Sequence, residues 1–314
     1  MKSLLPDSAI PAGVPTAPLS GTDSGDQAAT RPTSKYGTAF GCPRDLDDNR
    51  FVYTVISPRA RGLSVGVNMN PDRACNFDCV YCEVDRTGPA RESRLEVPVM
   101  IDELERTLEE VMSGGLRERP GYRNVPPELL ELRHVTLSGD GEPTLCPNFA
   151  DAVKAVCHLR ACGRFPRFKI VLLTNASGLD RPEVIQGLDL FNPLDEVWAK
   201  LDAGTRDYMN RVNHPDRGLE GIVANILELA RRRPVIIQSL FPSIGGSPPP
   251  AEEIEAYVRR LKELKEAGAR IPLVQIYSAT RPTPRSECGH LPLRTLSDIA
   301  RRVREESGLK AEVF

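Results

Sequence analysis

Nowhere in this 314-residue chain is there an apolar run of about 18 residues, the length a membrane-crossing helix needs. The opening stretch, MKSLLPDSAIPAGVP, has few apolar residues and then prolines and a glycine, so it lacks the apolar centre of a secretory signal. A cytoplasmic protein with no membrane partner is expected. An excess of one charge is also missing: 41 basic and 43 acidic residues leave a formal net charge of −2, and no basic tail or stripe stands out. Strong non-specific binding to nucleic acid is therefore not implied, although a local basic groove is not excluded. Nor is there a second paired set of metal ligands. Three of the eight cysteines fall within eight residues, while Cys42, Cys146, Cys157, Cys162 and Cys288 are scattered. The four histidines, His134, His158, His214 and His290, show no metal spacing. In a chain that reads as intracellular this favours a metal site over a disulfide framework.

What is present is ordinary globular composition, 40% hydrophobic and 27% charged, at a length that one α/β barrel often fills. Residues 1–48 are rich in Pro, Gly, Ser, Thr and Asp without a sustained period of 2 or 3.6, which predicts a disordered N-terminal arm ahead of a core domain over 49–314. Order is expected from the apolar run at residues 51–56. Short β-branched runs at 63–68, 134–138, 169–174, 196–201, 235–241 and 273–277 read as strands, with a last short one at 310–314. Helical patterns occupy 98–112, 147–162, 182–190, 218–232, 250–267 and 294–307, and residues 115–131 read as a connection. Such nearly continuous apolar strands belong to a parallel sheet covered by helices. Six βα units predict an α/β fold, either an open barrel or a doubly wound sheet. Both bind ligands at the C-terminal ends of their strands, so chemistry is expected just after each strand.

The first such segment carries Cys75, Cys79 and Cys82 in C-x3-C-x2-C spacing. Thiolates are the usual ligands of iron–sulfur clusters, and two short gaps let one loop wrap a compact cluster. A four-iron cluster on three cysteines leaves one iron without a protein ligand, the mark of a reactive metal site. Zinc is the alternative, but it normally takes four ligands in pairs, and no second pair is present. With Tyr81 just before the last cysteine, this loop is similar to the signature of the radical S-adenosylmethionine (radical SAM) superfamily. That resemblance implies a partial (β/α)6 TIM-like barrel, one [4Fe–4S] cluster on the three cysteines and S-adenosyl-L-methionine (SAM) as cofactor. It also implies reductive cleavage of SAM to a 5′-deoxyadenosyl radical that takes hydrogen from a substrate.

After the second strand stands Ser138-Gly139-Asp140-Gly141-Glu142-Pro143, whose glycines permit close backbone approach and whose turn opens onto a helix. It resembles the superfamily's GGEP motif, which binds the SAM amino group, with Asp140 where the family has Gly. Glu142 is expected to meet the ammonium directly or through backbone that it orients. By the same resemblance Thr174 and Asn175 are cofactor-binding candidates reaching the SAM ribose or carboxylate; a strand cap is the plainer reading. Lys200, in an otherwise apolar strand, is expected to be buried and paired. It is a candidate to bind the SAM carboxylate, to hold a carbonyl substrate as a Schiff base, or only to line the barrel in an ion pair. Gln238 and Ser239 point to opposite faces, so one of them faces the pocket, and Ser239 is the candidate. Arg59 and Arg61 are candidates to contact substrate or shield the cluster, and Arg281 to close the mouth of the barrel over an anionic substrate group, with solvated surface charge as the alternative. Cys146, Cys157 and Cys162 read as buried thiols, and nothing local demands a role for His214.

The subgroup resemblance rests on Ile56-Ser-Pro-Arg, Gly62-Leu-Ser-Val-Gly-Val-Asn, Leu137-Ser-Gly-Asp-Gly-Glu-Pro-Thr-Leu and Val274-Gln-Ile-Tyr with Thr280-Arg-Pro. These look like the iron–sulfur oxidoreductases related to wyosine-type tRNA-modifying synthases, over about residues 50–314. Those synthases carry a second cluster on upstream cysteines, whereas residues 1–74 here contain only Cys42. The expected function is a radical SAM enzyme acting on an unidentified substrate with an external flavodoxin- or ferredoxin-like electron donor. A tRNA substrate and a non-catalytic iron–sulfur or zinc binding protein are the alternatives.

Overall fold

The computed structural model describes Leu46 and residues 49–314 apart from 91, 281, 282 and 284. Apart from Leu46, the expected N-terminal arm lies outside the described residues, as does Arg281. The chain starts with a hairpin, β1 (Val52–Ser57) antiparallel to β2 (Gly62–Asn68). Buried Glu103 sets where β1 begins by accepting the backbone N–H groups of Phe51 and Val52 at 2.8 and 3.1 Å. Helix α1 (Val97–Ser113) follows the cysteine loop and ends at Gly114, whose φ of 77° is the left-handed conformation a C-terminal glycine allows. Then come β3 (Leu132–Ser138), α2 (Phe149–Ala161), β4 (Lys169–Thr174), α3 (Pro182–Leu188) and β5 (Glu196–Lys200). Two helices follow, α4 (Arg206–Asn213) and α5 (Leu219–Arg232), before β6 (Val235–Leu240). The two-residue strands β7 (Ser243–Ile244) and β9 (Cys288–Gly289) pair with each other. Between them lie α6 (Ala251–Glu266) and β8 (Val274–Tyr277), and α7 (Leu293–Arg302) and β10 (Ala311–Val313) finish the chain.

The main sheet has eight strands in the order β1-β2-β3-β4-β5-β6-β8-β10, parallel from β2 onward. Neighbours in space are neighbours along the chain, with no reversal of strand order. That rules out the doubly wound alternative and leaves the curled, partial (β/α)6 TIM-like barrel. The turn between β1 and β2 reaches the far edge of the sheet: Arg61 pairs with Glu312 on β10 at 2.9 Å.

The strands alternate between two faces. Val65, Val67, Val135, Leu137, Ile170, Leu172, Val197, Ile237, Val274 and Ile276, all buried, join one core with the helices. The other face carries Ser64, Thr136, His134, Trp198, Gln238 and Gln275, and its small apolar patch of Val171, Trp198 and Ile236 is separate from that core. The sequence reading misses the two-residue pair β7 and β9, and two further features depart from it. The hairpin makes β1 antiparallel, and α4 had not been expected. No helix among the described residues is long and apolar enough to cross a membrane.

Candidate active site

The cysteine loop leaves the C-terminal end of β2 and is fixed from three sides. From one side the turn after β3 closes on it: the Glu142 N–H donates to the Ala74 carbonyl at 3.0 Å. Gly141 makes this approach possible, because a Cβ there would stand 1.7 Å from the Ala74 carbonyl oxygen. From a second side the end of α4 supports the loop. Asp78 and Val80 donate backbone N–H groups to the Asn213 and Val212 carbonyls at 3.0 and 2.8 Å, and His214, at φ 41°, places a ring nitrogen 2.9 Å from the Asp78 carbonyl. From the third side the end of β4 braces Asn76, inside the loop, through Asn175 Nδ2 at 2.9 Å and Ser177 Oγ at 3.2 Å.

Glu142 is the hub of this scaffold. Its buried carboxylate accepts from Thr144 N at 3.1 Å, Thr144 Oγ1 at 2.7 Å, Thr174 Oγ1 at 2.5 Å and Asn175 N at 2.7 Å. Burial pushes its pKa up, and these donated hydrogen bonds offset part of that rise. Three of these bonds fall on Oε1 and one on Oε2, so Glu142 orients the surrounding backbone while Oε2 keeps an acceptor position. Thr174 and Asn175 are likewise braces. Ala176 after them, at φ 65° and fully buried, holds an uncommon left-handed turn and donates its N–H to Thr174 Oγ1 at 2.9 Å.

The thiols of Cys75, Cys79 and Cys82 are free. Burial raises the pKa of Cys75 and takes Cys79 up to about 12, the latter partly countered by Lys200, so loading a metal here expels protons from buried thiols. Among the described residues no three His, Cys, Asp or Glu side chains converge on a point that one metal ion would occupy. A cubane needs no such convergence, because each thiolate meets its own iron. Asn213 Nδ2 donates to Cys79 Sγ at 3.3 Å, the kind of bond that tunes a cluster's potential. The same amide donates to Tyr81 Oη at 3.0 Å and Asp202 Oδ2 at 2.9 Å, while the Tyr81 hydroxyl donates to Asp202. This donor set fits a three-cysteine cluster.

Beside the loop, Lys200 projects onto the inward face. Its ammonium lies 3.7 Å from Asp202 Oδ1, donates to Tyr277 Oη at 3.2 Å and stands 4.7 Å above the Tyr81 ring. Burial acts to lower its pKa, but Asp202 and Tyr277 outweigh that and the net shift is upward, so the lysine stays a cation. Ser239 is a correction. Its hydroxyl lies 2.6 Å from the Leu201 carbonyl and 2.6 Å from the Tyr257 hydroxyl of α6, on the helix-facing side. The inward residue is Gln238, in register with Lys200 and Gln275. The alternation of period two showed that the pair divides between faces, and Lys200, itself inward, was the signal in the sequence that assigns Gln238 to the pocket. Gly139 packs against Asn70, and Asp140 accepts from Asn68 Nδ2 at 2.8 Å, so the Asp that departs from the family pattern ties its turn to the end of β2. Pro143 opens a single 3₁₀ turn rather than the following helix. Cys146 is buried, Cys157 is partly buried and Cys162 is exposed, and the structure gathers no second cysteine cluster among the described residues.

A barrel whose strand ends present a three-cysteine loop, a glycine turn pinned to it and a buried cation defines a class. The family model of the radical SAM superfamily matches residues 69–261, more than half of the chain, and the chain belongs to that superfamily. Membership implies a [4Fe–4S] cluster and SAM. It is 27% identical over 179 residues to a UPF0026 protein of Helicobacter pylori, covering 55% of this chain and 51% of that one. It is 29% identical over 175 residues to a UPF0026 protein of Methanocaldococcus jannaschii, covering 54% and 47%. The chain thus spans about half the length of the curated relatives it matches. Among solved structures it resembles TYW1 with a lysine-pyruvate adduct bound, at TM-score 0.54 and 17% identity over 84% of this chain and 86% of that one. It also resembles Streptococcus suis SuiB bound to S-adenosylmethionine, at TM-score 0.53 and 15% identity over 78% and 49%. At these identities the likeness is one of fold.

Proposed function

We propose that this enzyme holds one [4Fe–4S] cluster on Cys75, Cys79 and Cys82 and acts on a small substrate seated on the inward face of the barrel. Cys75, Cys79 and Cys82 would hold the cluster, which would supply the one-electron reduction that cleaves SAM and so the means of taking hydrogen from a substrate C–H bond. The residues of the chain supply position. The Glu142 hub fixes the backbone of residues 141–144 and 174–175 against the cysteine loop, so that the amino-acid end of SAM meets prearranged backbone. Asn213 orients Cys79, and Lys200, kept charged by Asp202, offers an ammonium to a carboxylate. The observation that carries this reading is the three-sided anchoring of the cysteine loop beside the buried Lys200. The electron is proposed to come from an external flavodoxin- or ferredoxin-like donor.

Anaerobic reconstitution with iron and sulfide, followed by dithionite and SAM, tests the reading. Release of 5′-deoxyadenosine is expected, and its absence from a reducible, reconstituted cluster overturns the proposal. A wyosine-like role on tRNA is a second reading, favoured by the subgroup motifs. Filter binding to tRNA across a salt series decides it, since phosphate contacts make affinity fall steeply with salt. Absence of salt-sensitive binding removes it.

A further inference from the structure

The inward face carries polar groups that the cluster and SAM scaffold does not use. Arg59, on the turn between β1 and β2, crosses to β8 and lies with its guanidinium carbon 4.2 Å from the centroid of the Tyr277 ring. Its Nε is buried without a hydrogen-bond partner, and among the described residues it has no carboxylate partner. The neighbouring Arg61 is different, being paired with Glu312. Gln238 is 1% exposed; its Nε2 donates to Gln275 Oε1 at 2.7 Å, but its own Oε1 meets no donor. A buried carbonyl without a donor is costly to leave unmet.

These two unpartnered groups share the inward face, Arg59 against Tyr277 and Gln238 beside Gln275. Gln275 stands two positions before Tyr277 on the same face of β8, in register with Gln238. Tyr277 in turn accepts from Lys200, which sits 5.6 Å from the same ring centroid. Tyr277 therefore meets an unpaired planar cation and a second cation bordering the cysteine loop, and the unmet buried acceptor of Gln238 lies in register with Lys200 on the same face. Asp202 answers the charge of Lys200, and nothing on this face among the described residues answers that of Arg59.

We infer that Arg59, Tyr277 and Gln238 form a substrate subsite for a small organic acid that carries a hydroxyl or ammonium group beside its carboxylate. The carboxylate meets the guanidinium fork of Arg59 against the Tyr277 ring, and the adjacent donor completes Gln238 Oε1. This assignment rests on the radical SAM reading and adds the class of substrate to it. A carboxylate without such a donor satisfies Arg59 but leaves Gln238 unmet. A bare phosphate supplies charge without the planar match.

The test is calorimetric titration of the reconstituted, SAM-loaded enzyme with D-glycerate, L-serine, acetate and inorganic phosphate. Glycerate or serine is expected to bind, with acetate weaker by about tenfold for the lost hydrogen bond. Arg59→Gln is expected to weaken the binding ligand by about tenfold or more while SAM titrates as before, and Arg59→Lys to recover part of the loss. Gln238→Leu is expected to erase the preference over acetate. Absence of binding by glycerate and serine, phosphate binding tighter than either, or unchanged affinity in Arg59→Gln overturns the inference. Should Arg59→Gln also lose SAM, Arg59→Lys and Gln238→Leu decide on the same criteria. Release of 5′-deoxyadenosine is measured separately, so a failed subsite with intact SAM cleavage leaves the radical SAM reading standing.

Discussion

Along β5 and β6 successive residues enter two different environments. Val197, Ala199, Val235 and Ile237 press into the helix layer as fully buried aliphatics. Trp198, Lys200, Ile236 and Gln238 turn the other way, and there every polar group has a specific partner or a specific lack of one. The helix-facing side is built for close packing, where any loss of volume is felt as stability. The inward side gives up apolar burial for charges and amides that are costly without ligands, the usual signature of a site. One sheet thus separates what holds the fold from what acts.

Substitutions on the two sides should therefore fail differently, beginning with the largest effect. Changing any one of Cys75, Cys79 or Cys82 to Ala is expected to abolish both the visible iron–sulfur absorption and 5′-deoxyadenosine release, while the metal-free protein melts at nearly the same temperature. Phe149→Ala, on the helix side where the ring packs against Gly187, is expected to cost about 3–5 kcal/mol in denaturant unfolding. Its surviving folded fraction should still load a cluster. Glu142→Ala sits between the two: it strips the acceptor from Thr144, Thr174 and Asn175 and is expected to weaken SAM binding by about tenfold or more in calorimetry with the cluster retained. Unchanged SAM affinity would remove Glu142 from the cofactor scaffold.

Acid pH offers a subtler contrast. Burial, with help from Lys169, lowers the pKa of inward-facing His134 from 6.5 to about 3. Above pH about 6.5 the imidazole is neutral in both folded and unfolded chains and contributes no pH dependence. As pH falls through that value the unfolded state takes up the proton and the folded state does not, so stability declines by up to about 1.4 kcal/mol per unit until the folded pKa is reached. His134→Phe is expected to flatten that part of the unfolding profile. The smallest effect belongs to Ser239→Ala, about 1 kcal/mol in melting experiments from the lost bonds to Leu201 and Tyr257, with SAM affinity untouched.

Most of the frame was legible in the sequence because parallel strands and their helices advertise themselves locally. Lys169–Thr174 coincides with its expected strand, and α5 and α6 fall within a residue of their expected limits at each end. The antiparallel β1 was not, since the run at 51–56 specifies a strand without its direction. Helix α4 was missed because it spans only Arg206–Asn213 and is mostly polar; its one local sign is Thr205, whose hydroxyl accepts the Tyr208 N–H at 3.2 Å as an N-cap. That omission concealed the support Asn213 gives to Cys79. The spacing marked the cysteines, and the GDGEP turn was singled out by its resemblance to a family motif just after a strand. The meeting of Arg59 with Tyr277 was not legible, because it depends on how far the sheet curls, and no local pattern encodes that.

The chain contains a single tryptophan, and it stands on the inward face two residues before Lys200. The Trp198 indole is 5% exposed, donates to Glu196 at 2.8 Å and meets the edge of His134 at a centroid distance of 5.4 Å. Its ultraviolet emission therefore comes from one defined place inside the barrel. An iron–sulfur chromophore on the neighbouring loop would drain that emission by energy transfer. Oxidative loss of the cluster should then appear as a brightening of the protein, making each molecule its own optical gauge of cofactor occupancy.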